Sequence, residues 1–98
     1  FLEKVYENSL TIELEEADLK VEKQKQIQVF YRNQLVGDYF ADMVVENDVI
    51  IELKALKSLD AVHFAQCKNY LKATGKKLGL VINFGSEKVA VRRLVNGL

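Results

Sequence analysis

The chain has 98 residues, 49% of them apolar, which suits one domain with a modest core and leaves a homodimer within expectation at this size. No stretch approaches the roughly 18 consecutive apolar residues of a membrane span. No signal-peptide pattern opens the sequence, and the single cysteine, Cys67, excludes an internal disulfide or a cysteine-rich zinc site, so a reducing cytoplasm is the expected setting. The 14 basic and 14 acidic side chains cancel, which by itself argues against strong nonspecific binding to nucleic acid. They are segregated, however: residues 1–53 carry a net −7 and residues 54–98 a net +7. Such asymmetry marks either a polyanion-binding surface or two halves that neutralise each other across the fold.

In chain order, residues 1–17 read as a helix with Leu2, Tyr6, Leu10, Glu13 and Ala17 on one face. Lys4, Glu7, Asn8, Thr11 and Glu15 fall on the other. Residues 21–31 read as a strand with Val21, Ile27, Val29 and Tyr31 on an odd-numbered apolar face, and Arg32-Asn33-Gln34 is the expected turn. Strands are expected at 35–45 and 49–54, joined by Glu46-Asn47-Asp48. A second helix is expected over 59–74, with Ser58 as N-cap and Gly75 just past its end. The apolar run 78–84 reads as a buried strand, and 88–94 as a short last one. With no proline, repeat or linker, residues 1–98 read as a single α/β domain of order αβββαβ(β), helices covering a mixed sheet.

Two strands that are otherwise apolar carry charges: Asp42 in Ala41-Asp42-Met43-Val44-Val45, and Glu52 and Lys54 in Val49-Ile50-Ile51-Glu52-Leu53-Lys54. Buried charges are costly unless compensated. If residues 46–48 form a symmetric three-residue loop, Val45 opposes Val49 and Asp42 opposes Glu52, with Cβ atoms roughly 4.5–5.5 Å apart. A divalent cation between the two carboxylates would relieve their repulsion. Lys54 projects from the same face as Glu52 and can steady anionic charge in a reaction. A two-residue loop would put Asp42 and Glu52 on opposite faces, and an ordinary Glu52–Lys54 ion pair is the plain alternative. On the second helix His63, Gln66 and Tyr70 share a stripe beside apolar Leu59, Cys67 and Leu71; they are either boundary residues or positioners of a water, a phosphate or Lys54. On the first, Glu13 and Glu3 can complete a metal shell, or Glu3 can serve the helix dipole.

The opening Phe1-Leu2-Glu3-Lys4-Val5-Tyr6 resembles the GxxExxY signature, whose glycine falls just before Phe1. The blocks ADMVV, VIIELKA, HFAQCKNYLKATG and LGLVINFG are similar to the same family, so the resemblance covers essentially the whole chain. That family is placed in the PD-(D/E)XK nuclease-like superfamily, which implies a restriction-endonuclease-like core and magnesium-dependent phosphodiester cleavage. By the resemblance Asp42 matches the superfamily aspartate, Glu52 and Lys54 its (D/E)xK, and Glu3 the first-helix glutamate. Gln66 through Tyr70 matches the QxxxY motif of recombination-repair nucleases, and Ala41 replaces the proline of the PD pair.

The expectation is therefore a Mg²⁺-dependent nuclease, with Mn²⁺ as a substitute, acting on DNA before RNA. Asp42, Glu52 and the Leu53 carbonyl would hold the metal; Lys54 would orient the water; Glu3, Gln66 and Tyr70 would support the site. Lys57, Lys76, Lys77, Arg92 and Arg93 are the expected phosphate contacts. The second reading is a catalytically idle nucleic-acid- or protein-binding module that keeps the fold, and a third is a structural subunit.

Overall fold

The computed structural model describes residues 2–97; Phe1, the expected start of the first helix, lies outside them. The elements are α1 (Glu3–Glu16), β1 (Val21–Tyr31), β2 (Gln34–Val45), β3 (Val49–Lys54), α2 (Ala61–Thr74), β4 (Leu78–Asn83) and β5 (Ala90–Val95). The five strands form one sheet in the order β1-β2-β3-β4-β5. Neighbours run antiparallel except β3 and β4, which are parallel and joined by α2, as a parallel pair requires. Mixed sheet and flanking helices match the α/β expectation.

Local chemistry sets the turns. Arg32 and Asn33 have φ of 50° and 63°, so two residues close the β1–β2 hairpin and Gln34 already pairs with Tyr31 rather than belonging to the turn. Glu46 and Asn47 also have positive φ, and Val45 pairs with Val49, the register expected from a symmetric loop. α2 begins two residues later than expected. Its N-cap is Asp60, not Ser58: the Asp60 carboxylate accepts the Val62 N–H at 3.1 Å, and His63 Nδ1 accepts the Asp60 N–H at 3.1 Å. Gly75, at φ 72°, ends the helix as expected.

The sheet has an apolar layer on each face. On one side Ile50, Val44 and Val81 pack under Cys67, Tyr70 and Leu71 of α2. On the other, Met43, Val45, Ile51 and Leu53 pack against Leu10 and Leu14 of α1. The inward stripe of α1 differs from the expected one. Glu7 and Thr11 are buried, whereas Leu2 and Glu13 are exposed. Glu7 and Thr11 can turn inward because both find partners: Thr11 Oγ1 donates to the Glu7 carbonyl at 2.7 Å, and the Glu7 carboxylate accepts from Lys4 and Gln24. Tyr6 lies at the edge of this stripe, stacked on Phe84 at 4.5 Å.

A twist in the hairpin positions the site. Lys23 pairs with Met43 and Lys25 with Ala41, but the ladder skips Gln24 and Asp42 between them, and Gln24 has φ 49°. Before this step the odd residues Val21, Met43 and Val45 pack on the α1 side; beyond it Ile27 and Ala41 pack on the α2 side. Both strands therefore change faces together at Gln24 and Asp42. β2 also parts from β3 here, their ladder stopping at Met43 and Ile51.

Candidate active site

Asp42 sits in the opening between β2 and β3. Its Oδ2 accepts the Leu53 N–H at 2.7 Å, taking the place that the β2 backbone has vacated. Its Oδ1 lies 3.5 Å from Gln24 Nε2, which donates at 3.0 Å to Glu7 Oε1. A φ near 49° costs Gln24 backbone strain, and its amide bridges two carboxylates in return.

Glu52 follows Ile51, where the β2–β3 ladder stops, and is 4% exposed. Its Oε1 is the one buried side-chain polar atom without a hydrogen-bond partner among the described residues. Burial, then the neighbouring Asp42 carboxylate, push the Glu52 carboxyl up to about 9, against a partial pull downward from Lys54. At neutral pH and without a cation, Glu52 is thus a neutral acid. Lys54, half-buried at the end of β3, lies on the face of Glu52 by strand alternation, and its charge acts on that carboxyl.

The family model of the PD-(D/E)XK nuclease superfamily matches residues 1–94. The chain belongs to the PD-(D/E)XK nuclease superfamily. Membership brings a nuclease-type fold. A solved structure, the crystal structure of SSO0001, has the same fold with a TM-score of 0.72 at 18% identity, over 97% of this chain and 51% of that one. The chain thus spans about half the length of that protein. No curated protein matches.

Around the PD-(D/E)XK strands, the expected supporting residues divide. A cleft of about 140 Å³ opens beside Asp42 and Leu53, lined on the α1 side by Glu3, Lys4, Glu7 and Gln24. Glu3 is exposed at its rim; Glu7, which hydropathy placed outside, is the buried α1 acid. Burial alone would raise the Glu7 carboxyl, but hydrogen bonds from Lys4 and Gln24 and the charges of Lys4 and Lys23 outweigh it and hold its pKa below the usual range. The signal for Glu7 was its place among Leu10, Thr11 and Leu14 on one helical stripe. Glu13 points to solvent and has no part here.

On α2, Tyr70 is buried in the cluster that holds Ala41 and Ile50. Burial, then the charge of Glu52, raise its phenol pKa, and Asp42 and Tyr39 add to the rise. Gln66 Nε2 donates to the Tyr70 hydroxyl at 2.9 Å, so Gln66 reaches the site through Tyr70. His63 caps its own helix, its Nδ1 accepting the Asp60 N–H. Lys76 and Lys77 precede Leu78, which pairs with Val49 at the opposite end of β3 from Lys54, and Lys76 Nζ donates to the Asn47 carbonyl at 2.8 Å. Arg92 pairs with Val81, itself beside Glu52, and so shares their row and face.

Among the described residues no three His, Cys, Asp or Glu side chains converge as a ready-made metal cage. A carboxyl pair with one buried oxygen unsatisfied nonetheless fits Mg²⁺, which binds through one or two carboxylates and keeps several waters.

Proposed function

We propose that this protein is a metal-dependent nuclease that hydrolyses phosphodiester bonds, in DNA before RNA, using Mg²⁺ or Mn²⁺. The observation that carries this reading is the orphaned Glu52 Oε1 near Asp42, on the central strand of a sheet that belongs to a nuclease superfamily. Asp42, Glu52 and the Leu53 carbonyl would hold the cation, which supplies Lewis-acid polarisation of the phosphate and a more acidic water. Asp42 is kept from swinging by the Leu53 N–H and Gln24. Lys54 presents an ammonium where anionic charge develops and donates hydrogen bonds to it. Tyr70, tethered by Gln66, closes the site on the α2 side and excludes bulk water from Glu52. Glu7, with Glu3 at the rim, shapes the cleft on the α1 side. The resemblance of the chain's opening and later blocks to the GxxExxY family supports that branch on this reading. Residues 1–98 then act as one domain, alone or as a homodimer.

The test is cleavage of single-stranded and duplex DNA and RNA with Mg²⁺ or Mn²⁺, with EDTA as control. Activity that persists unchanged in Lys54→Ala points to a contaminant. No cleavage by the parent on any substrate, with no metal bound at millimolar concentration, leaves the second reading: an idle nucleic-acid- or protein-binding module. The zero net charge and the lack of a three-residue metal cage among the described residues favour that second reading.

A further inference from the structure

Beyond the twist at Gln24 and Asp42, the β1–β2 hairpin leans over α2 and leaves a groove of about 760 Å³ between them. Two aromatic rings line its hairpin wall, Phe30 and Tyr39, with 59% and 47% of their surfaces exposed. The α2 wall offers the amides of Gln66 and Asn69 and the ammonium of Lys72. No Asp or Glu is among the described residues lining it, in a chain with 14 acids. Tyr70 also lines the groove, and it packs in one buried cluster with Ala41, the neighbour of Asp42, and Ile50, two residues before Glu52 on β3; the groove therefore borders the part of the sheet that carries the carboxyl pair.

The aromatic wall is built rather than incidental. The Tyr39 ring lies back across Gly37, where a Cβ would come within 2.6 Å of Tyr39 Cε2, and this brings it to 5.8 Å from the Tyr70 ring. The β1–β2 register also slips between Val29 and Phe30, which sets Phe30 out of the regular alternation.

Flat aromatic faces, hydrogen-bonding amides, a cation and no acids match a nucleobase and its phosphate better than a peptide or a second copy of the chain. Bases stacked inside a duplex cannot enter such a groove. We propose that this groove binds the unpaired bases of a single-stranded nucleic acid, beside the phosphate presented to Asp42 and Glu52. The inference rests on the nuclease reading for its neighbouring phosphate, but base binding can be measured without cleavage.

The experiment is fluorescence anisotropy of the full chain in EDTA with three labelled ligands: a short oligothymidylate, the same strand lacking its bases, and a duplex. The expected result is tightest binding to the base-bearing single strand. Phe30→Ala should lower that affinity roughly tenfold, the scale of one lost stacking partner, and leave the abasic strand unchanged. Phe30→Trp should restore it. Gly37→Ala, which displaces the Tyr39 ring, should weaken it too. Phe30 is largely exposed, so its substitution does not threaten the fold. Equal affinity for base-bearing and abasic strands overturns the proposal. So does a dimer, seen by sedimentation, that Phe30→Ala disperses while strand affinity stays the same; the groove is then an interface between copies. Base-dependent binding with no cleavage under any metal leaves the groove standing and removes the nuclease reading. Cleavage of duplex with no base-dependent binding does the reverse.

Discussion

Asp42 and Glu52 are in opposite circumstances: Asp42 accepts from Leu53 and Gln24, whereas Glu52 Oε1 is buried with no hydrogen-bond partner. The folded Glu52 carboxyl titrates at about 9 against an ordinary 4.5. It therefore keeps its proton over the interval in which the unfolded chain loses it. Its contribution to stability is full below pH 4.5 and is lost as pH rises to about 9. In EDTA, Glu52→Gln should consequently melt higher than the parent at pH 8, by at least about 4–8 °C, the shift equivalent to one kcal/mol in a small domain. The gap should close near pH 4. Mg²⁺ should raise the melting temperature of the parent and not of this variant; the opposite result would mean that Glu52 is no ligand. Lys54→Ala should lower cleavage by about 10²-fold or more, the scale of losing one preorganised charge stabiliser, and should bind metal as the parent does by titration calorimetry. Asp42→Asn should weaken metal binding itself. Glu7→Ala should cost more activity than Glu3→Ala, because Glu7 is buried and tied through Gln24 to Asp42, while Glu3 is at the rim.

At the scale of elements, α2 carries Tyr70 to the cluster that holds Ala41 and Ile50, so its start and its seating matter. His63 belongs to the start. His63→Ala should destabilise the protein by about 1 kcal/mol, the usual worth of a cap, measured by urea unfolding, with cleavage unchanged; a large loss of activity in the folded variant would return His63 to the site. Seating depends on Gly79. A Cβ there would come within 2.7 Å of Cys67 Sγ and 3.3 Å of a Leu71 methyl. Gly79→Ala should thus push α2 off β4 and cost about 1–3 kcal/mol, as overpacking does.

For the whole molecule, the proposed function predicts which part of the basic half would meet phosphate. Lys57 and Arg92 lie toward the carboxyl end of the sheet, whereas Lys76 and Lys77 lie at the other end, beside the 46–48 loop. Affinity for DNA should fall steeply with salt as counterions are released. Arg92→Ala should reduce the slope of that dependence by about one, and Lys76→Ala should leave it unchanged. Equal effects would show that the positive half acts as a diffuse field instead. Among the described residues no helix is long and apolar enough to cross a membrane.

Much of this architecture is written locally. The strands expected at 21–31 and 49–54 became β1 and β3 with those bounds, and the three residues after Val45 set the expected register, in which Val45 pairs with Val49. Turn chemistry and side-chain alternation act over a few residues, so they can be read in one dimension. What needed the tertiary structure was every choice made by a distant partner. Asp60 rather than Ser58 caps α2, and His63 turns back on it, because the path out of β3 delays the helix. Glu7 is buried because Gln24, 17 residues away, supplies a donor that no hydropathy pattern contains. Gln24 is there to donate because two paired strands change faces at one step, and that step frees Asp42 from the ladder. Sequence patterns carried the carboxyls to neighbouring strands; the twist of the hairpin decided what surrounds them, since packing on both faces of a sheet is a property of strands together and not of either alone.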